Sequence, residues 1–215
     1  MKMNEKYAMK ILALEFSSQH RSVAVTDDSK SLAHVSTDNH KTSPMVLIHE
    51  ALTKAEIERS EINLIAVGIG PGSYTGIRSS IAIAQGWQLG RGTELCAISS
   101  VEVLATTAQA NNHRGETHFL IDAQRREYYH CMWELTEDKQ TEKTPLSIIN
   151  APKAAQLKAL GPNASGLPHC KPLYPNANSL ASLATKQSNY IKGSEIEPIY
   201  LRQTEFTKAP TLRQL

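Results

Sequence analysis

Apolar and polar positions fall in blocks that mark out the elements. Residues 9–16 (MKILALEF), 22–26 (SVAVT) and 31–36 (SLAHVS) are short β-prone runs separated by polar clusters at 17–21 and 27–30, which predicts a three-stranded meander. Ser43 followed by Pro44 is a helix start, the serine oxygen capping free N–H groups and the proline standing where an N–H is not needed; the helix is expected to run to about Arg59. Along it Met45, Ile48, Leu52 and Ala55 recur at helical spacing, while Val46, Leu47 and Ala51 widen the apolar surface enough for packing on two sides. Residues 63–69 form a buried-strand run, a glycine-rich turn follows, and 77–89 is a second helix on which Ala82, Gly86 and Gly90 share one face. Glycine inside a helix costs roughly 1 kcal/mol against alanine, so Gly86 predicts close approach of another backbone.

Further on, 95–98 reads as a strand, and Ser99 or Ser100 with Glu102 starts a helix that reaches about Ala110. Strands at 118–123 and 127–135 are joined by a turn at 124–126. The polar stretch 136–144 follows, and helices are expected at 152–160 and 179–190, on either side of a Pro, Gly and Asn-rich stretch. The break at 111–115 divides the chain into two small lobes, 1–110 and 111–215.

Composition adjusts this picture little. The 215 residues carry a net charge of +2, with 23 basic residues dispersed among 21 acidic ones. Neither a basic stripe nor an aromatic stacking platform is evident, so any link to RNA is expected to run through partners. Three widely spaced cysteines, Cys96, Cys131 and Cys170, suit free thiols in a reducing compartment. The first sixteen residues are read as leading into the first strand, not as a signal peptide, and no apolar run is long enough to span a membrane; a soluble, cytoplasmic protein is expected.

The richest candidate chemistry lies in GIGPGSYTGIR, residues 68–78. Gly70, Gly72, Ser73, Thr75, Gly76 and Arg78 stand between a buried strand and a helix N-terminus, where free N–H groups and the positive dipole end could contact an anion. The P-loop lysine is missing and the spacing does not fit the dinucleotide fingerprint. The alternative is that the glycines permit a tight turn and close helix-to-sheet packing.

The wording of the segment AVGIGPGSYTGIR, 66–78, resembles the signature of the TsaB (YeaZ) family. So do ILALEFSS at 11–18, SSVEVLA at 99–105, DAQRREYY at 122–129 and EPIYLR at 197–202. The resemblance implies an α/β, actin-like (ASKHA, ribonuclease H-like) fold of two small lobes. It also implies pairing with a TsaD-like catalytic subunit and a TsaE-like ATPase in making tRNA N6-threonylcarbamoyladenosine (t6A37). Where that family usually carries Asp after the first-strand Leu, this chain has Leu14-Glu15-Phe16-Ser17, and Phe16 is expected to crowd the first phosphate loop of an actin-like nucleotide site.

No catalytic set or metal site is expected. The helical histidine pair four residues apart that holds metal in TsaD-like relatives is absent: His40 and His49 are nine apart, and His34, His113, His118, His130 and His169 are scattered. Ser73 lacks the flanking glycines of a nucleophile elbow and is read as a cap. Asp122 and Glu127, with Arg125 and Arg126 between them, read as ion pairs on a hairpin. The chain's size argues against a complete interlobe cleft.

The leading expectation is a non-catalytic scaffold without a cofactor. It would dock on the TsaD-like subunit through Met45, Ile48, Leu52, Ala82, Gly86 and Gly90, would help recruit the TsaE-like ATPase, and would form a homodimer when alone. The competing readings are a small nucleotide-binding phosphotransferase or hydrolase and, ranked last, a peptidase.

Overall fold

The computed structural model describes residues 9–162 and 166–201. The first sheet takes the order β3-β2-β1-β4-β5, from β1 (Lys10–Glu15), β2 (Arg21–Asp27), β3 (Lys30–Thr37), β4 (Leu64–Gly68) and β5 (Glu94–Ile98). The β1–β2–β3 meander is antiparallel, whereas β4 and β5 run parallel to β1. That order and those directions are the ribonuclease H-like arrangement of actin-like proteins. Because β1 is central, both its faces are buried and it reads as a continuous apolar run. Leu12 and Leu14 enter one core with Val23, Val25, Ile65 and Val67, while Ile11 and Ala13 enter another with Ala24, Leu64 and Ala66.

The first of these cores is covered by α1 (Pro44–Ala55) and α2 (Tyr74–Arg91). Helix α1 stops four residues short of the expected Arg59, because Glu56 turns left-handed (φ 56°) and its N–H closes back on Leu52 O and Thr53 O. The second core is covered by α5 (Ala177–Ala184) together with Val103 of α3 (Ser100–Ala110). The opposite side of α3, through Val101, Leu104, Ala105 and Ala108, packs on the second sheet at Phe119, Ile121, Cys131 and Leu135. Helix α3 therefore lies between the two sheets.

The second sheet has the order β10-β9-β6-β7-β8. It is built from β6 (Gly115–Asp122), β7 (Glu127–Leu135), β8 (Gln140–Asn150), β9 (Ala159–Gly161) and β10 (Cys170–Pro172). Two expectations fail here. The polar stretch after Thr136 leads into β8, a strand at the sheet edge, where charged side chains and a proline are tolerated. The ladder passes from His130↔Ser147 to Met132↔Thr144, so Pro145 and Leu146 face Cys131 in a bulge. The helix expected over 152–160 is only α4 (Ala151–Ala154), since Ala159 and Leu160 are drawn into parallel pairing with His118 and Phe119. The helix expected over 179–190 is α5, capped by Asn176 and ending at Ala184.

The chain does not stay in the second lobe. After β10 it returns to place α5 under the first sheet, and residues 191–200 then run along β5, α2 and β4. Ile191 N–H donates to Leu95 O (2.9 Å), Gly193 N–H to Gln88 Oε1 (2.7 Å) and Ile199 N–H to Ile69 O (2.9 Å), and Ile196 is buried in the first core. A division at residue 110 therefore separates the two sheets but cuts the first lobe from material it is built on. No helix among the described residues is long and apolar enough to cross a membrane.

Within this chain Gly86 has no packing role: a Cβ placed there meets nothing within 4 Å. Gly86→Ala is therefore expected to stabilise the isolated chain by about 0.5–1 kcal/mol through backbone entropy and helix propensity. Denaturant unfolding of the purified protein measures it.

Candidate functional site

Between the lobes lies a cleft of about 900 Å³. Its walls are the β1–β2 turn (Phe16 to Gln19), the segment leading into α1 (His40 to Pro44), the glycine turn and first turn of α2, the β6–β7 turn from Asp122 to Gln124, and the returning tail at Ile199 and Tyr200. So small a chain is not expected to form a complete interlobe cleft, yet residues of both lobes line this one. The tail and the β6–β7 turn supply walls that the first lobe alone would not have.

The floor is a close backbone contact. Ser73 N–H donates to Ser17 O at 2.7 Å, and a Cβ on Gly72 would overlap Ser17 O, while one on Gly76 would overlap Phe16 O. Gly72 and Gly76 are glycine because the β1–β2 turn lies against them. Gly70, with φ 96° and a cis peptide to Pro71, donates its N–H to Ser100 Oγ (3.1 Å) and accepts from Ser100 N–H (2.8 Å). Ser73 caps α2, its Oγ accepting from Gly76 N–H, while Thr75 stands exposed in the first turn. The donors at Gly70, Ser73, Gly76 and Ile77 thus have partners within the chain, which leaves few for a phosphate.

Phe16 does not crowd the cleft: its side chain is fully buried in the core beneath α2, and the obstruction comes from the carbonyls of Phe16 and Ser17. Glu15 is also wholly buried. Its Oε1 accepts from Ser17 N–H at 2.9 Å and its Oε2 from Ser100 Oγ at 3.2 Å, in a space that a Cβ on Gly68 would fill. Burial raises the carboxyl pKa, and the hydrogen bonds from Ser17 and Ser100 pull partly the other way.

Arg78 is held between two tyrosines. Its guanidinium lies over the Tyr74 ring (4.6 Å to the centroid), its Nε donates to Tyr200 Oη at 3.1 Å, and the two tyrosine rings stack at 5.8 Å. Tyr74 and Tyr200 are nonetheless 58 % and 43 % exposed at the cleft mouth. On the opposite wall Gln124, Arg125 and Arg126 are all left-handed, with φ between 57° and 64°, at a cost of roughly 1–2 kcal/mol each. Asp122 holds this turn through Gln124, accepting from its backbone N–H (2.7 Å) and side-chain Nε2 (3.1 Å), so the expected pairing of Asp122 with an arginine is replaced by an amide grip.

Of the six expected partner residues, Ile48 and Leu52 are spent in the core under α1 and offer nothing to a partner. Met45, Ala82, Gly86 and Gly90 are exposed, and Val46 (54 %) and Leu89 (90 %) join them. Reading the stripe as Met45–Ile48–Leu52 picked the inward face of an amphipathic helix.

Elsewhere, His118 Nδ1 and His130 Nε2 lie 3.0 Å apart on paired strands, a contact that only strand register brings about, and burial lowers the His130 pKa. Burial pushes the thiols of Cys96, Cys131 and Cys170 up to about 11, 12 and 11, which disfavours the thiolate. Among the described residues no three metal-ligating side chains group closely enough to hold an ion.

Two outcomes are expected at the cleft floor. Gly76→Ala forces a methyl group into Phe16 O and costs about 1–3 kcal/mol, the opposite sign to Gly86→Ala in the same helix, as read by urea unfolding. Glu15 has a folded-state pKa above its unfolded one, so its contribution is full below 4.5, the ordinary glutamate value, and is lost as pH rises through the folded pKa. Glu15→Gln cannot ionise, and its stability should fall less steeply than that of the unmodified chain as pH rises above 4.5.

Comparison with known proteins places this geometry in a family. The family model for TsaD, tRNA N6-adenosine threonylcarbamoyltransferase, matches residues 33–199. The Escherichia coli (strain K12) tRNA threonylcarbamoyladenosine biosynthesis protein TsaB is 31 % identical over 132 residues, 60 % of this chain and 57 % of that protein. The Bacillus subtilis (strain 168) TsaB is 28 % identical over 129 residues, 59 % of this chain and 56 % of that protein. The chain thus spans about half the length of the curated relatives it matches. YeaZ from Pseudomonas aeruginosa has the same fold, with a TM-score of 0.75 at 22 % identity over 90 % of this chain and 100 % of that one. The chain belongs to the TsaD-type family, on its TsaB (YeaZ) branch.

Proposed function

We propose that this chain is a non-catalytic subunit in the formation of tRNA N6-threonylcarbamoyladenosine in the cytoplasm. It docks on a TsaD-like catalytic subunit, keeps that subunit in its active form and helps recruit a TsaE-like ATPase. The observation that carries the reading is the outer face of α2. Ala82, Gly86, Leu89 and Gly90 are exposed along it, and a Cβ at Gly86 or Gly90 meets nothing within 4 Å. A helix that accepts the cost of two interior glycines without using them at home is suited to a partner helix whose backbone comes close. Met45 and Val46 on α1 are exposed as well, a flexible and a branched apolar group available to a partner. The same face serves a homodimer when the partner is absent.

The non-catalytic assignment draws support from the cleft floor, where the N–H groups of Gly70, Ser73 and Gly76 are engaged by Ser100, Ser17 and Ser73. It also fits the buried thiols of Cys96 and Cys131 and the half-buried one of Cys170, all pushed up by burial. Transfer of the threonylcarbamoyl group is assigned to the TsaD-like partner.

Size-exclusion chromatography of this chain mixed with the TsaD-like subunit of the same genome tests docking, and co-elution is expected. Ala82→Arg and Gly86→Arg each place a long side chain on a solvent-facing position, so the isolated chain should fold as before while co-elution is lost. Absence of co-elution for the unmodified chain would overturn the reading.

A further inference from the structure

The tyrosine pair at the cleft mouth is built unlike the rest of the surface. Tyr74, from the first turn of α2, and Tyr200, from the returning tail, leave roughly half their area in solvent, yet they are locked together by Arg78. Aromatic rings held rigid while exposed have already given up the rotamer freedom that binding would otherwise remove. Their surroundings are polar: Ser17, Ser18, Gln19, Thr42, Ser43 and Thr75 line the same cleft.

Charge on the two walls is mostly of one sign. Lys41 stands on the side that leads into α1, with Arg21 beside it donating to Asn39 O and Thr42 O. On the other side Gln124 lines the cleft, and Arg125 and Arg126, which follow it in the same left-handed turn, are both exposed just beyond the lining. The acidic groups of that turn are Asp122, whose oxygens are occupied by Gln124, and Glu127, which begins β7. Planar π faces next to an arginine, with hydroxyls and cations around them, match the chemistry by which unpaired bases and their sugar–phosphate chain are recognised.

We propose that the mouth of the interlobe cleft binds single-stranded RNA, with a base stacked on the Tyr74–Tyr200 platform and phosphates held by Lys41 and by Arg125 and Arg126. This replaces the expectation that RNA is reached only through partners. The platform was invisible in the sequence because its two tyrosines lie far apart along the chain. The proposal is separable from docking on the TsaD-like subunit, because it is measured on this chain alone.

The test is fluorescence anisotropy of a labelled, mixed-sequence single-stranded oligoribonucleotide of about ten residues, titrated with the purified full chain from about 50 to about 200 mM salt. Saturable, salt-sensitive binding is expected. Tyr74→Ala should weaken it by roughly five- to hundredfold, whereas Tyr74→Phe, which keeps the ring face, should bind nearly as well. The Arg125→Ala, Arg126→Ala double variant should lower the slope of log affinity against log salt by about 1–2. Circular dichroism and melting confirm that each variant folds, and Tyr200→Ala provides a second probe of the platform should Tyr74→Ala fail to fold. No saturable binding at about 50 mM salt, or binding indifferent to the tyrosine and arginine changes, overturns the proposal. If Tyr74→Ala abolishes co-elution with the TsaD-like subunit while RNA stays unbound by the unmodified chain, the platform is a protein contact and the proposal also fails.

Discussion

The contact on which the rest depends is backbone against backbone: the carbonyls of Phe16 and Ser17 lie against Gly76 and Gly72 with no side chain between them. It joins the first strand's exit to the start of α2 and so sets where that helix leaves the sheet. With the axis of α2 fixed there, Ile77, Ile81 and Ala84 fall inward onto the core and Ala82, Gly86 and Gly90 outward. The same contact fills the space at the N-terminus of α2 and takes up Ser73 N–H, a donor that would otherwise be open to a phosphate. One constraint thus has two effects, a precisely aimed outer helix and a floor poorly equipped for nucleotide chemistry.

Glu15 belongs to this arrangement as filling. A carboxyl at the end of β1, wholly out of water and gripped by Ser17 and Ser100, occupies the space that Gly68 leaves by having no side chain. Burial works against its charged form, and two hydrogen bonds offset only part of that. The longer side chain is accommodated because the neighbouring strand yields at Gly68, which couples two positions far apart in sequence.

Much of the first lobe was legible. Continuous apolar runs announced β1 and β4, and serine with proline or with a following helix announced α1, α2 and α3, because those signals are local. The second lobe was less so. β8 is an edge strand carrying charges and Pro145, so it lacks the alternation that marks a strand with a buried face. Ala159–Gly161 became a strand only because β6 offered an open edge. At the site, the glycines were legible as a tight turn, but what they make room for was not, since Ser17 and Phe16 approach from fifty residues upstream or more. Ile48 and Leu52 show a further limit: helical spacing reports that a face is apolar, and only the fold reports whether that face is already covered. The Tyr74–Arg78–Tyr200 stack and the left-handed turn at Gln124 carry no local signal such as glycine or asparagine.

The return of the chain to the first sheet bears on how the molecule forms during synthesis. Until α5 and residues 191–200 have emerged from the ribosome, the underside of β1 and β4 has only Val103 of α3 against it, and the flank of α2 lacks the returning tail. The first half is therefore made early but completed last, and it waits with apolar surface exposed while the second sheet is built. A nascent chain of this topology gains most from a helper that shields the first sheet until the tail arrives.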